Sequence, residues 1–372
     1  MPEPNQDLIF YLFFVFVLTQ VVYWAYFAIG ILRTKKSDPE IGKSIEVSIV
    51  VAAQNEIHNL RALIPSLLKQ NHTLYEVIIV NDRSEDGTLE FLRDIEAKND
   101  NFKGINIHDR PEHINGKKYA LTLGIKAAKY ANILLTDADC LPTSDQWVAN
   151  MAAGFKSDNN FVLGFSNYSK LNGFLNYFIR YETLLTGIQF LGAAGNGKPY
   201  MGVGRNLAYK KELFLRNKGF NGFQDIMGGD DDLFVNKYAT GRLTHVTLTK
   251  DSVVNSDPKT TWKTFLRQKH RHLSVGKHYR FSSKFHIGLF NISWILTYCL
   301  AAILAFLNYD PIYLGTVFGG RFLIMISSII IGTKRLGIAF EWFGVFLLDL
   351  IYPIYYIFAG IKAALVKSIS WE

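Results

Sequence analysis

Ile133-Leu134-Leu135-Thr136-Asp137-Ala138-Asp139 is an apolar run that stops on two carboxylates with one residue between them. The residues up to Thr136 read as a short buried strand. Side chains at alternate positions of an extended chain share one face, so Asp137 and Asp139 are expected to point together. Paired carboxylate oxygens are hard donors of the kind Mg2+ or Mn2+ takes. A solvated Asp-x-Asp turn is common, so the weight of this one depends on what precedes it.

Val47–Ala53 is an apolar, β-branched run, and Glu56–Gln70 then carries Ile57, Leu60, Leu63, Ile64 and Leu67 at helical spacing. Strands are expected again at Val77–Val80 and Gly104–Ile107, and helices at Asp86–Lys98 and Lys117–Lys129. This alternation predicts an α/β fold whose mostly parallel sheet is covered on both faces. Ligands of such sheets bind at the carboxyl ends of the strands. Polar residues gather there: Gln54-Asn55-Glu56 after the first strand, Asn81-Asp82-Arg83-Ser84 after the second, Asp137 and Asp139 after the fourth. Neither a Walker lysine motif nor Gly-x-Gly-x-x-Gly follows the first strand, which disfavours a P-loop or a dinucleotide site. A phosphate-bearing ligand would instead use a metal and scattered bases. Lys117 is one of these, at a helix start whose N–H groups are free to bind an anion.

The remainder of the 372 residues points to a membrane. Hydrophobic residues make up 49% and charged residues 19%, too apolar for a disordered chain or a purely soluble enzyme. Leu8–Leu32 is free of charge and long enough to span a bilayer, with Arg33, Lys35 and Lys36 behind it. A secretory signal has the reverse order, so residues 1–36 read as a retained anchor, with the chain from residue 33 onward cytoplasmic. Further apolar blocks are Phe285–Leu307, Ile312–Gly332 and Ile338–Ile361. Arg321, Glu341 and Asp349 within them should face protein or a polar cavity. A fourth block that is re-entrant or split at Pro353 would return Lys362, Lys367 and Glu372 to the cytoplasm. Cys140 and Cys299 lie too far apart to make a disulfide framework, which suits a reducing compartment.

Two more stretches carry chemistry. Gly228-Gly229-Asp230-Asp231-Asp232 opens a helix, and three adjacent carboxylates could raise one pKa towards the range of a general base. Lys259–Lys284 is dense in Lys, Arg and His; it suits anionic lipid, and Gln268 and Arg271 on one helical face could neutralise a leaving diphosphate. Nucleic acid is the weakest partner for bases crowded against a membrane segment. Leu171–Leu191 is amphipathic and reads either as an interfacial helix guiding a lipid acceptor or as core.

Together these pieces resemble the membrane-bound family 2 glycosyltransferases over roughly residues 45–275. The matching residues are 51–57 (Val-Ala-Ala-Gln-Asn-Glu-Ile), 80–88 (Val-Asn-Asp-Arg-Ser-Glu-Asp-Gly-Thr), 116–121, Asp137-Ala138-Asp139, 204–208 (Gly-Arg-Asn-Leu-Ala), 229–233 and Gln268-Lys269-His270-Arg271. The resemblance implies an inverting enzyme with a GT-A fold, a Rossmann-like nucleotide-diphospho-sugar transferase domain over 41–284, and transmembrane helices over 285–372. It implies that Glu56 and Asp82 contact the nucleoside with Lys117 nearby, that Asp137 lies on the ribose or diphosphate side, and that Asp139 binds Mg2+ or Mn2+. It makes Asp230 the expected base, with Asp231 as the alternative because Gly229 stands where the family has Glu. Gln268 and Arg271 match Gln-x-x-Arg-Trp, with His272 in place of the Trp that lines the acceptor site.

The implied function is transfer of a sugar from a nucleotide-sugar donor, UDP-linked by expectation, to a lipid or lipid-linked acceptor at the cytoplasmic face of the inner membrane. A processive polysaccharide synthase, a polyprenyl-phosphate sugar synthase and an inactive nucleotide-sugar-binding scaffold are the alternatives.

Overall fold

The computed structural model describes residues 4–156 and 159–365; Lys367 and Glu372, which bear on the orientation of the C-terminus, lie outside the described residues. The strands are β1 (Val47–Ala53), β2 (Tyr75–Asp82), β3 (Phe102–Ile107), β4 (Asn132–Leu135), β5 (Cys140–Pro142), β6 (Phe161–Leu163), β7 (Ser166–Tyr168), β8 (Leu207–Lys210), β9 (Thr244–Val246) and β10 (Val254–Ser256). Seven of them form one sheet in the order β3-β2-β1-β4-β8-β6-β9, and β5-β10-β7 form a second. The half from β3 to β4 is parallel throughout. Strand β8 runs antiparallel to both β4 and β6.

Burial on both faces explains why β1 is an apolar run without alternation. Ile49 and Val51 pack with Leu60, Leu63, Ile64 and Leu67 of the helix Ile57–Leu68. Val50 faces the other way, towards Leu121 and Ile125 of the helix Gly116–Ala127. The expected strands and helices of this half all form, and β2 runs on to Asp82, placing that carboxylate at the strand terminus. The strand order reverses between β1 and β4, which puts a crevice at their carboxyl ends.

Among the described residues four helices are long and apolar enough to cross a membrane: Gln6–Arg33, Phe281–Phe306, Pro311–Leu336 and Val345–Lys362. The fourth departs from the sequence expectation. It begins at Val345 rather than Ile338, and it runs unbroken through Pro353. Glu341 precedes it and is not in the bilayer-length segment at all; it pairs with Lys170 and Arg180 at 2.6 Å each. Arg321 and Asp349 are fully buried against each other between helices, as charged groups at that depth must be.

Helix Phe174–Gly195 corrects the interfacial reading of Leu171–Leu191. It is buried on nearly all sides, because Phe178, Ile179, Leu184, Leu185, Ile188 and Leu191 circle its axis rather than filling one face. It crosses the N-terminal membrane helix where small residues let the backbones touch: a Cβ on Gly30 would fall 1.8 Å from the Gly192 carbonyl oxygen. Helix Trp262–Val275 is the amphipathic one, with Phe265 buried and Lys263 and Arg267 exposed. Its Phe265 ring stacks on Tyr355 of the fourth membrane helix. One apolar core therefore runs from Val50 of the sheet through Phe178 to Trp294, Met325 and Tyr352 of the membrane helices.

Candidate active site

Glu56, Asp82, Lys117, Asp137, Asp139, Asp230, Asp231, Gln268 and Arg271 all line one cavity of about 1200 Å³ at the carboxyl rim of the parallel strands. The loops after β1 and β2 are tied together. Asn55 donates its N–H to Ser84 Oγ at 2.8 Å and accepts from the Glu85 N–H at 2.9 Å. Asn55 and Arg83 both hold left-handed backbone conformations, with φ of 53° and 56°, a cost typical of residues fixed for a purpose. Arg83 donates Nε to Asp82 Oδ1 at 2.8 Å. Helix Gly116–Ala127 starts directly over that carboxylate. A Cβ at Gly116 would lie 2.5 Å from Asp82 Oδ2, so only glycine allows the approach.

Asp137 and Asp139 converge by a different route from the one expected. They sit in a turn between β4 and β5, closed by the Cys140 N–H donating to the Asp137 carbonyl at 3.2 Å, not at alternate positions of a strand. An oxygen of each and the Cys140 sulfur all lie within 4.8 Å of one another. Burial, then the Asp137 charge, raises the Asp139 pKa. The Cys140 thiol is driven well up by burial and by Asp139, so it stays protonated and points its S–H at Asp139 Oδ1, 3.5 Å away.

Lys117 joins two acidic groups across the cavity, 2.8 Å from Asp137 Oδ1 and 3.1 Å from Asp230 Oδ2. Burial opposes its charge, but Asp137, Asp230 and Asp231 outweigh burial and hold its pKa well above the ordinary value. The three consecutive aspartates are not equivalent. Asp231 caps the helix Asp232–Tyr238, taking the Gly204 N–H on Oδ2 at 2.6 Å and the Asp232 N–H on Oδ1 at 2.7 Å. Asp232 is likewise occupied, by the Leu233 N–H at 2.7 Å and the Tyr279 hydroxyl at 2.8 Å. Asp230 faces Lys117, its Oδ2 3.1 Å from the ammonium. The expected upward shift falls on Asp231 and Asp232 and not on Asp230. Burial and like charge raise Asp231 and Asp232, whereas at Asp230 burial is overcome by Lys117 and the pKa is lowered.

The model for Glycosyl transferase family 2 matches residues 48–216. Those residues are a family 2 glycosyltransferase domain. The chain is similar to poly-beta-1,6-N-acetyl-D-glucosamine synthases: 34% identity over 99 residues to the Staphylococcus epidermidis protein, 27% of this chain and 23% of that one. With the Staphylococcus aureus (strain COL) protein the identity is 30% over 111 residues, 30% of this chain and 26% of that one. The match thus spans about a quarter of the length of these curated relatives. A solved mannosyltransferase, PcManGT from Pyrobaculum calidifontis in complex with GDP-Man and Mn2+, has a TM-score of 0.57 at 18% identity, covering 89% of this chain and 97% of that one. The chain shares that GT-A fold.

The donor set suits a hard divalent cation. Two carboxylates lie close enough to share one, their mutual repulsion already raises Asp139, and the neighbouring sulfur is a thiol rather than a competing soft thiolate. Opposite them is Arg205, to which the sequence assigned no role although it lies inside the quoted 204–208 motif. Strand β8 enters the rim antiparallel to β4, so the turn before it faces Asp139. The Arg205 guanidinium stacks 4.4 Å over the Tyr168 ring, and its NH1 is buried without a hydrogen-bond partner among the described residues. Gln268 donates to the same Tyr168 hydroxyl at 3.4 Å. His272, in the Trp position, opens onto the cavity; the protein around it, then Lys269 and Arg271, hold its imidazole well below the ordinary value and hence neutral.

Proposed function

We propose that this glycosyltransferase moves a sugar from a UDP-linked donor, with inversion at the anomeric carbon, to a lipid or lipid-linked acceptor beneath the bilayer. One observation carries the reading. The cavity that holds the carboxylates continues to Ile287, Gly288 and Asn291 of one membrane helix and to Tyr352 and Tyr356 of another. An acceptor anchored in lipid can thus reach the carboxylates without leaving the membrane surface.

In this reading Asp82 and Glu56 hold the nucleoside, Asp137 and Asp139 hold Mg2+ or Mn2+, and Arg205, Arg271 and Gln268 surround the diphosphate. When bound, the ion supplies Lewis-acid relief of the charge that collects on the leaving diphosphate. Asp230, kept ionised by Lys117, takes the proton of an acceptor hydroxyl. That oxygen forms a bond to the anomeric carbon from the face opposite the diphosphate, as the bond from that carbon to the diphosphate oxygen breaks and the leaving diphosphate keeps the electron pair. Arg33, Lys35 and Lys36, directly after the first membrane helix, support a cytoplasmic catalytic domain at the inner membrane. Residues 1–36, 41–284 and 285–372 act as anchor, catalytic domain and membrane helices.

The test is transfer from UDP-N-acetylglucosamine and UDP-glucose, with Mn2+, to membrane lipid extract by the purified chain. A labelled lipid carrying one sugar supports the reading; no transfer and no UDP release with either donor overturns it. The similarity to polysaccharide synthases favours a second reading, processive synthesis, which a ladder of lengthening products would establish.

A further inference from the structure

Resting on the function proposed above, the remaining wall of the cavity speaks to the acceptor. Helix Phe174–Gly195 is apolar almost throughout, yet Glu182, Thr183, Thr186 and Gln189 recur on the cavity side at spacings of one, four and seven residues. Thr183 is 7% exposed, and its hydroxyl has no hydrogen-bond partner among the described residues. A helical threonine ordinarily returns its hydroxyl to the carbonyl four residues back. Thr19, Thr122 and Thr297 each do so, at 2.7–2.8 Å. Thr183 withholds it, at the usual cost of a buried polar group left unpaired.

The stripe is also joined to the proposed leaving-group helix. Glu182 and Lys269 are an ion pair at 2.5 Å, both largely buried, and Lys269 lies between Gln268 and Arg271. One turn away, Phe178 and Tyr181 pack on Tyr355 and Tyr352, so the stripe adjoins the helix on the membrane side of the cavity.

We propose that Glu182, Thr183, Thr186 and Gln189 form the acceptor subsite, and that it takes a neutral polyol, a saccharide ring or a glycolipid headgroup, rather than a phosphate. A hydroxyl, a carboxamide and a carboxylate already neutralised by Lys269 offer alternating donors and acceptors, which is what vicinal sugar hydroxyls require. None of these four side chains is cationic, and the Lys269 ammonium beside them is already paired with Glu182, so the stripe offers a phosphate no counter-charge of its own.

The experiment titrates the full chain, in nanodiscs with Mn2+ and UDP, with octyl β-glucoside below its micellar concentration, methyl β-glucoside and octyl phosphate. The variants are Thr183→Val, which keeps the shape, and the partly exposed Gln189→Leu. Expected are octyl β-glucoside binding ahead of octyl phosphate and about tenfold weakening in each variant, the loss of one buried hydrogen bond. Methyl β-glucoside binding as well as the octyl compound identifies a free saccharide as the acceptor; weaker binding identifies a glycolipid. The subsite is overturned if octyl phosphate binds more tightly, if wild type binds no glucoside, or if both folded variants bind it as wild type does. UDP binding in the same samples separates the two claims: its absence defeats the proposed function, whereas intact UDP binding with a failed glucoside result defeats the subsite alone. Melting temperature shows whether each variant is folded, and Gln189→Leu serves if Thr183→Val is not.

Discussion

Two buried sets of charges sit in this molecule and are built in opposite ways. In the membrane helices, Arg321 grips Asp349 with both terminal nitrogens. Tyr298 donates to the same carboxylate at 2.6 Å, and the Gln20 carboxamide oxygen is 3.4 Å from the guanidinium. The guanidinium is walled by the rings of Trp294, Tyr298 and Phe318. Both side chains are fully buried, and the charges cancel in place. At the sheet rim one ammonium, Lys117, faces Asp137 and Asp230 with Asp139 and Asp231 behind, so negative charge is in excess, beside a cavity and the unsatisfied Arg205. A closed pair fixes how helices fit; an open, unbalanced cluster is a site waiting for charged ligands.

Breaking the open cluster should remove function and leave the fold. Asp230→Asn should lower transfer by about 10³-fold or more while UDP affinity and melting temperature hold, measured by product formation and calorimetry in detergent. Breaking the closed pair should do the reverse. Arg321→Met alone leaves Asp349 charged in an apolar surround and should cost about 3–5 kcal/mol, read as a fall in melting temperature; Arg321→Met with Asp349→Leu should recover most of it. Arg271→Ala, at the edge of the open cluster, should cost about 3 kcal/mol of transition-state stabilisation, near 10²-fold in turnover.

The smallest effect concerns Lys118, whose ammonium is buried against the carbonyls of Phe223 and Ile226 on the loop leading to Asp230. Burial lowers its pKa from 10.5 to about 8. Between those values the unfolded chain holds the proton and the folded chain does not, so stability rises with pH across that window. From pH 7.5 to 9.5 the wild type should gain about 2 kcal/mol relative to Lys118→Met, read from melting temperatures at both values.

The parallel half of the sheet and the four membrane helices were legible because long apolar runs and 3.6-residue spacing are strong local signals. The site could be read as far as strand ends carry it: Asp82, Asp137 and Asp139 follow directly from where β2 and β4 stop. What was hidden depends on chain reversals that the sequence does not mark. Strands β5, β7 and β10 have three residues each, too few for a period to show. Arg205 reaches Asp139 only because β8 enters antiparallel. The roles of Asp230, Asp231 and Asp232 separate only when Gly204 and Tyr279, distant in the chain, arrive to occupy two of the three. Helix Phe174–Gly195 looked amphipathic because its polar stripe is real, but the stripe faces a cavity and the apolar surround faces protein.

The most direct test of the claim that the rim carboxylates hold a cation for a donor diphosphate is equilibrium binding of UDP and GDP. It is measured with Mn2+ or with EDTA, for wild type and Asp139→Asn. The account predicts that one nucleoside diphosphate binds in Mn2+, at least about tenfold more weakly in EDTA, and as weakly in Asp139→Asn under either condition. Equal affinity with and without the metal and in the variant, or no binding of either nucleotide by folded wild type, would contradict it.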